Sequence, residues 1–95
     1  MRKAIAIDPK DNVATLLTDA DKEDVAQVIL GDRVMEFRLH EKIPFGHKFA
    51  MKKIAKGQNV MKYGEVIGHA TQDINQGRHV HVHNVESLRG RGDLT

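Results

Sequence analysis

The chain has no cysteine, so neither a disulfide framework nor thiolate metal ligation is open to it. That fits a reducing compartment, and the cytoplasm is the expected location. No apolar run approaches the roughly 20 residues needed to cross a bilayer, and the apolar stretch after the basic start MRKAIAIDPKDN is far too short for a signal peptide. No membrane partner is expected. Aromatics are scarce: Phe37, Phe45, Phe49 and Tyr63 are the only four, and they form no basic–aromatic platform for stacking on bases. The pI of about 9.0 raises nucleic acid as a partner. The net charge is only +2, however, and Lys52, Lys53, Lys56 and Lys62 lie scattered among apolar residues. A solvated face accounts for them, and no nucleic-acid partner is expected. No window of a dozen residues carries a clean 3.6-residue apolar period, which argues against long helices. The glycines Gly64 and Gly68 bracket no phosphate loop, because the Gly-Lys-Ser/Thr ending and a following helix are missing.

What remains is a small β-rich domain. Ninety-five residues with 40% hydrophobic and 29% charged side chains fit one soluble globular unit over residues 1–95. Lys3 to Ile7 reads as a strand that breaks at the turn formers Asp8-Pro9-Lys10-Asp11-Asn12. Val13 to Thr18 reads as a second strand, followed by the acidic Asp19 to Asp24. Val25 to Leu30 and Arg33 to Leu39, separated by Gly31-Asp32, predict a hairpin with a primed turn.

From Ile43 onward a motif recurs. Ile43-Pro44-Phe45-Gly46-His47-Lys48-Phe49, Ile54-Ala55-Lys56-Gly57-Gln58-Asn59-Val60 and Ile74-Asn75-Gln76-Gly77-Arg78-His79-Val80 all read Ile, two residues, Gly, two residues, apolar. The Ile anchors the end of one element in the core, the Gly permits a positive φ at a tight turn, and the apolar residue starts the next strand facing inward. The spacing is irregular, so this is no solenoid. Corners built alike in a compact clip-like fold are expected.

The segment RHVHVHNVES then places His79, His81 and His83 at alternate positions, half of the six histidines within five residues. As a strand it would put the three on one face, with Val80 and Val82 in the core. Neighbours would stand roughly 6.6 Å apart at the backbone and the outer two roughly 13 Å. Two neighbours could grip one metal ion; three could not do so easily. His81 and His83, nearest the Asn84 end, are the expected metal pair, and His79 the member that matters less. A polar strand face, solvated or facing a partner, is the alternative. His47 could act as a general base and Lys48 could hold a carboxylate, or both could belong to a polar turn. Tyr63 is a substrate or interface candidate, or a packed aromatic with a wet hydroxyl. Arg89 and Arg91 could meet an acidic partner surface, and His40 and His69 are expected to be ordinary. No carboxylate pair with acid/base spacing and no nucleophile triad is present.

The segments GHKFA, IAKGQNVMKYGEVIG and HVHVHN, in order and at fitting distances, resemble the SAF domain at the start of altronate and galactarate dehydratases. In two-subunit members of that family, and in the similar (R)-sulfolactate sulfo-lyase, the domain is a separate small chain. The resemblance covers nearly the whole chain. It implies a mostly β, β-clip fold and a large catalytic subunit as partner, the Met1 start and charged end SLRGRGDLT suggesting a small subunit. It also implies β-elimination on a hydroxylated acid: a C2 proton leaves, then water or sulfite departs from C3, and the enol becomes a 2-keto acid. A divalent metal, iron (Fe2+) or Mn2+, is the implied cofactor, held here or mainly by the large subunit. On this resemblance His47 and Lys48 are the catalytic candidates, His81 and His83 the metal candidates, and His79, Tyr63, Arg89 and Arg91 the substrate or interface candidates. A free-standing module that binds a sugar acid or a protein without catalysis is the other class of answer.

Overall fold

Each of the three Ile-x-x-Gly-x-x-apolar segments folds into the same corner in the computed structural model, which describes residues 1–88. The carbonyls of Pro44, Ala55 and Asn75 accept the amides of His47, Gln58 and Arg78 at 3.1, 2.9 and 3.1 Å. The glycine before each donor has a φ of 86°, 88° or 86°. This is a type II turn, whose third residue needs the left-handed region. The anchors Ile43, Ile54 and Ile74 and the strand starters Phe49, Val60 and Val80 are all buried, as the pattern requires.

A fourth corner carries no glycine. Ala20 and Ala26 are buried, Asp21 O accepts Asp24 N at 3.0 Å, and Glu23 takes the glycine's place at φ 77°. The corners pair by isolated bridges, Ala20 with Ile43 and Ile54 with Ile74. Each pair is capped alike: Asp19 Oδ1 accepts Phe45 N, and Asp73 Oδ1 accepts Lys56 N, both at 2.8 Å. A left-handed non-glycine residue costs about 1–2 kcal/mol, and the Glu23–Arg38 ion pair at 3.3 Å is well exposed and offsets little of that. Glu23→Gly is therefore expected to stabilise the domain by about 0.5–1 kcal/mol after the glycine's added unfolded-state entropy, raising Tm by a few degrees. A fall in Tm would mean that the arginine contacts outweigh the strain.

The described residues form nine strands. Six make one sheet in the order β4 (Arg33–Arg38), β3 (Val25–Leu30), β1 (Arg2–Ile5), β2 (Val13–Leu16), β5 (Lys48–Ala50), β8 (His79–Val80). Three make a second sheet in the order β6 (Asn59–Lys62), β7 (Glu65–Ala70), β9 (Val85–Ser87). The Gly31-Asp32 hairpin forms as expected, with Leu30 opposite Arg33 and Gly31 at φ 65°. The β6–β7 turn uses Tyr63 and Gly64, at φ 55° and 80°. Asp11 receives the amides of Gly64 at 2.7 Å and of Ile7 and Asp8 at 3.1 Å. Burial alone would raise the Asp11 pKa, but these amides together hold it below the ordinary value.

Strand alternation divides the interior in two. Ala14, Leu16 and Phe49 point to a core closed by Val28, Leu39 and Ile43. Val13, Ala50 and Val80, on the opposite face, meet Ile54, Val60 and Ala70 of the second layer. Toward β3 and β4 that second face is open: Ile29 and its partner Val34 are 52% and 59% exposed. Among the described residues no helix is long and apolar enough to cross a membrane.

Candidate metal centre

The register of β5 against β8 assembles the histidines. Lys48 opposes Val80 and Phe49 opposes His79, so the next residues outward, His47 and His81, face each other where the strands end. His47 comes from the corner at Gly46 and His79 from the corner at Gly77. The His47 and His81 rings stack at 4.2 Å between centroids and 22° between planes. His47 Nδ1 lies 2.9 Å from His79 Nε2, a hydrogen bond in which one ring donates and the other accepts. The His79 and His81 rings lie 5.4 Å apart and nearly parallel. One nitrogen from each of His47, His79 and His81 falls within 4.8 Å of the others.

The comb is not a strand throughout, and this corrects the sequence reading. β8 stops at Val80 and residues 81–84 turn. Asn84 causes the turn. Its Oδ1 accepts His81 N at 3.0 Å and its Nδ2 donates to His79 O at 2.8 Å, while its own amide reaches His81 O at 3.1 Å. Asn side chains compete with strand ladders in this way. The result is that Val82 is 82% exposed, not in the core. His79 and His83 rings come within 5.2 Å, where an extended strand would set them roughly 13 Å apart. Asn84 is itself buried and is a positioning residue that sequence reasoning passed over; its place directly after a His-x-His-x-His run, as a turn-forming Asn, was the available signal.

Electrostatics disfavour protonation of His79 and His81. Burial, with His83, His47 and His81 nearby, pushes the His79 pKa down to about 4, against a smaller upward pull from Glu41. Glu41 Oε2 accepts His79 N at 3.0 Å. His81 is lowered too, by burial and then by His47, Lys48 and His83. Lys48 is lowered by burial and then by Lys62; it lies beside His81 on a cleft of about 190 Å³ whose other walls are largely Ile67, Val80, Val82 and Val85.

The unfolded chain binds a proton at each histidine near pH 6.5, whereas folded His79 refuses it down to about pH 4. The unfolded state therefore holds more protons across that window, and stability is lost as pH falls through it. Metal-free protein is expected to lose Tm between pH 6.5 and 4, with a shallower slope in His79→Gln. Identical pH profiles for the two proteins would contradict the burial of a neutral His79.

Three imidazole donors fit a borderline transition ion. Iron, zinc and nickel accept such nitrogen donors, while magnesium and calcium prefer oxygen. Ligands on one ion at bond lengths of about 2.0–2.1 Å lie closer together than the trio's outer limit of 4.8 Å, so binding would draw the three rings inward. Of the expected metal pair, His81 belongs to this trio and His83 stands outside it, exposed and tilted against His79. His47, expected as a base, is a member. Tyr63 sits apart on the β6–β7 turn with the Lys62 ammonium 5.0 Å from its ring centre. His69 pairs with Glu86 at 3.1 Å. Arg89 and Arg91 lie outside the described residues.

Comparison with known proteins bears on this arrangement. Residues 2–88 match the family profile described as altronate/galactarate dehydratase SAF domain. The chain is 47% identical over 58 residues to the (2R)-sulfolactate sulfo-lyase subunit alpha of Chromohalobacter salexigens, covering 61% of this chain and 62% of that one. It is 36% identical over 91 residues to the altronate dehydratase of Bacillus subtilis, covering 92% of this chain and 17% of that one. Against the altronate dehydratase of Escherichia coli the identity is 43% over 83 residues, covering 87% and 16%. The chain thus spans under two thirds of the first relative and about a sixth of the dehydratases.

Proposed function

Since the chain belongs to the altronate/galactarate dehydratase SAF domain family, we propose that it is the small chain of a two-chain lyase. In this reading it contributes one wall of an active site completed by a large catalytic chain, and the reaction is β-elimination of water from a sugar acid, giving a 2-keto-3-deoxy acid. The observation that carries the reading is the His47–His79–His81 trio, beside the half-buried Lys48. His47, His79 and His81 would hold a divalent ion such as Fe2+ or Mn2+. When bound, that ion supplies Lewis acidity toward the carboxylate and adjacent hydroxyl of the acid. Lys48 holds an acidic group of the substrate at the mouth of its cleft, where the apolar walls weaken competition from water. Asn84 and Glu41 fix the backbone of the histidine turn. With His47 engaged in the trio, removal of the C2 proton falls to the large chain.

Elimination of sulfite is the second reading. It is favoured by the relatives named as a sulfo-lyase subunit alpha, which are small chains in their own right: this chain covers 84% of the one from Paracoccus pantotrophus at 46% identity. One experiment addresses both. The chain is reconstituted with the large lyase chain of the same genome and supplied with Fe2+ or Mn2+. Altronate turnover is followed by 2-keto acid formation and sulfolactate turnover by sulfite release. The chain alone is expected to be inert and the pair active on one substrate. An active small chain, or a pair inert on both acids, would count against the proposal.

A further inference from the structure

We propose that the two turns carrying the histidines form the docking face for the large chain, with Phe45 and Val82 as its apolar anchors. This inference rests on the two-chain reading above and adds where the chains meet. Phe45 is 63% exposed and Val82 is 82% exposed. Both stand at turn positions, where small polar residues are the norm because nothing there rewards an apolar side chain. Phe45 is the second residue of the turn that ends in His47, and Val82 lies between His81 and His83. The two turns are neighbours because the His47 and His81 rings stack at 4.2 Å. Phe45 thus stands two residues from His47 and Val82 next to His81, so both anchors belong to the turns that carry trio members. Val82 also walls the cleft that holds Lys48, so the apolar surface runs from the turn tip into the site.

The occupant follows from length and chemistry. The matched stretch is 17% and 16% of the two altronate dehydratases, so more than four fifths of each lies outside it, and a body of that size must reach the histidines to share them. Its matching surface should offer an apolar socket for each anchor and leave Lys48 open to the substrate. Interface energy concentrates in a few such buried anchors, and covering the turns would exclude water from the trio. The competing surface is the open half of the six-stranded sheet at Ile29 and Val34.

The test measures the affinity of the large lyase chain of the same genome for wild-type protein and for Phe45→Gln, Val82→Gln and the Ile29→Gln/Val34→Gln double variant. All four are also checked for melting temperature, for self-association and, on the isolated chain, for Zn2+ uptake. Phe45→Gln and Val82→Gln are each expected to weaken binding about tenfold or more while Tm and Zn2+ uptake stay as in wild type. The double variant is expected to bind like wild type. Unchanged affinity in both anchor variants, or a loss confined to the double variant, overturns the docking face but leaves the two-chain reading standing. Self-association of the wild type that Val82→Gln abolishes overturns it in favour of a second copy of this chain. Failure of the wild type itself to bind the large chain overturns both.

Discussion

Alanine at His79 is expected to reduce turnover of the reconstituted lyase by at least about 100-fold while leaving the domain folded. The ring is a member of the trio, 2.9 Å from His47 by its Nε2 and nearly parallel to His81. Its backbone is held independently, by Glu41 at the amide and Asn84 at the carbonyl, so removal of the ring does not release the turn. Loss of partners one shell further out already costs about 10–100-fold in metal affinity or activity, and loss of a ligand should cost more. His47→Ala and His81→Ala should behave alike. His83→Ala should keep most of the activity, because that ring lies outside the trio. The checks are kcat/KM with the large chain, metal content, and Tm for each of the four variants. Full activity in His79→Ala would reduce the cluster to packing.

Alanine at Gly77 is expected to be the most destabilising of the corner substitutions, by about 3 kcal/mol or more, against about 1 kcal/mol at Gly57. Both positions have a positive φ, so both pay the left-handed penalty of about 1–2 kcal/mol. They differ in what surrounds them. A Cβ at Gly57 meets open space, whereas a Cβ at Gly77 would run into the backbone carbonyl of Arg38 and the ring of His40. That carbonyl cannot give way cheaply, because Arg38 ends β4 and the amide of His40 donates to Gly77 O at 3.0 Å. The corner also sets the entry to β8, so Gly77→Ala should impair Zn2+ uptake as well as stability. Chemical denaturation of the two variants checks the ratio; equal costs would mean that strain alone governs these corners.

Much of this fold was legible because its corners are local. Ile43, Gly46 and Phe49 declare a turn within seven residues, and the same holds at Ile54 and Ile74. The fourth corner was invisible since Ala20, Glu23 and Ala26 share neither the isoleucine nor the glycine; only the backbone, with Glu23 at φ 77°, reveals it. The hairpin at Gly31-Asp32 was readable from two residues and their flanks. The site was legible in part. Alternation singled out His79, His81 and His83, but it presumed an extended strand, and Asn84 bends the chain after Val80 by capturing the His81 amide. His47 joins from 32 residues away, through a β5–β8 pairing that no local pattern announces. For that reason His79, rather than His83, is the ring brought together with His47 and His81.

In the proposed function, His47, His79 and His81 act together as one metal site. The most direct measurement is a Zn2+ titration of the isolated, metal-free chain, followed by the imidazole resonances of all six histidines. One equivalent of Zn2+ is expected to shift His47, His79 and His81 together and to saturate, with His40 and His69 unmoved and His83 at most weakly perturbed. Shifts confined to His81 and His83, or no saturable shift in any of the three, would contradict it.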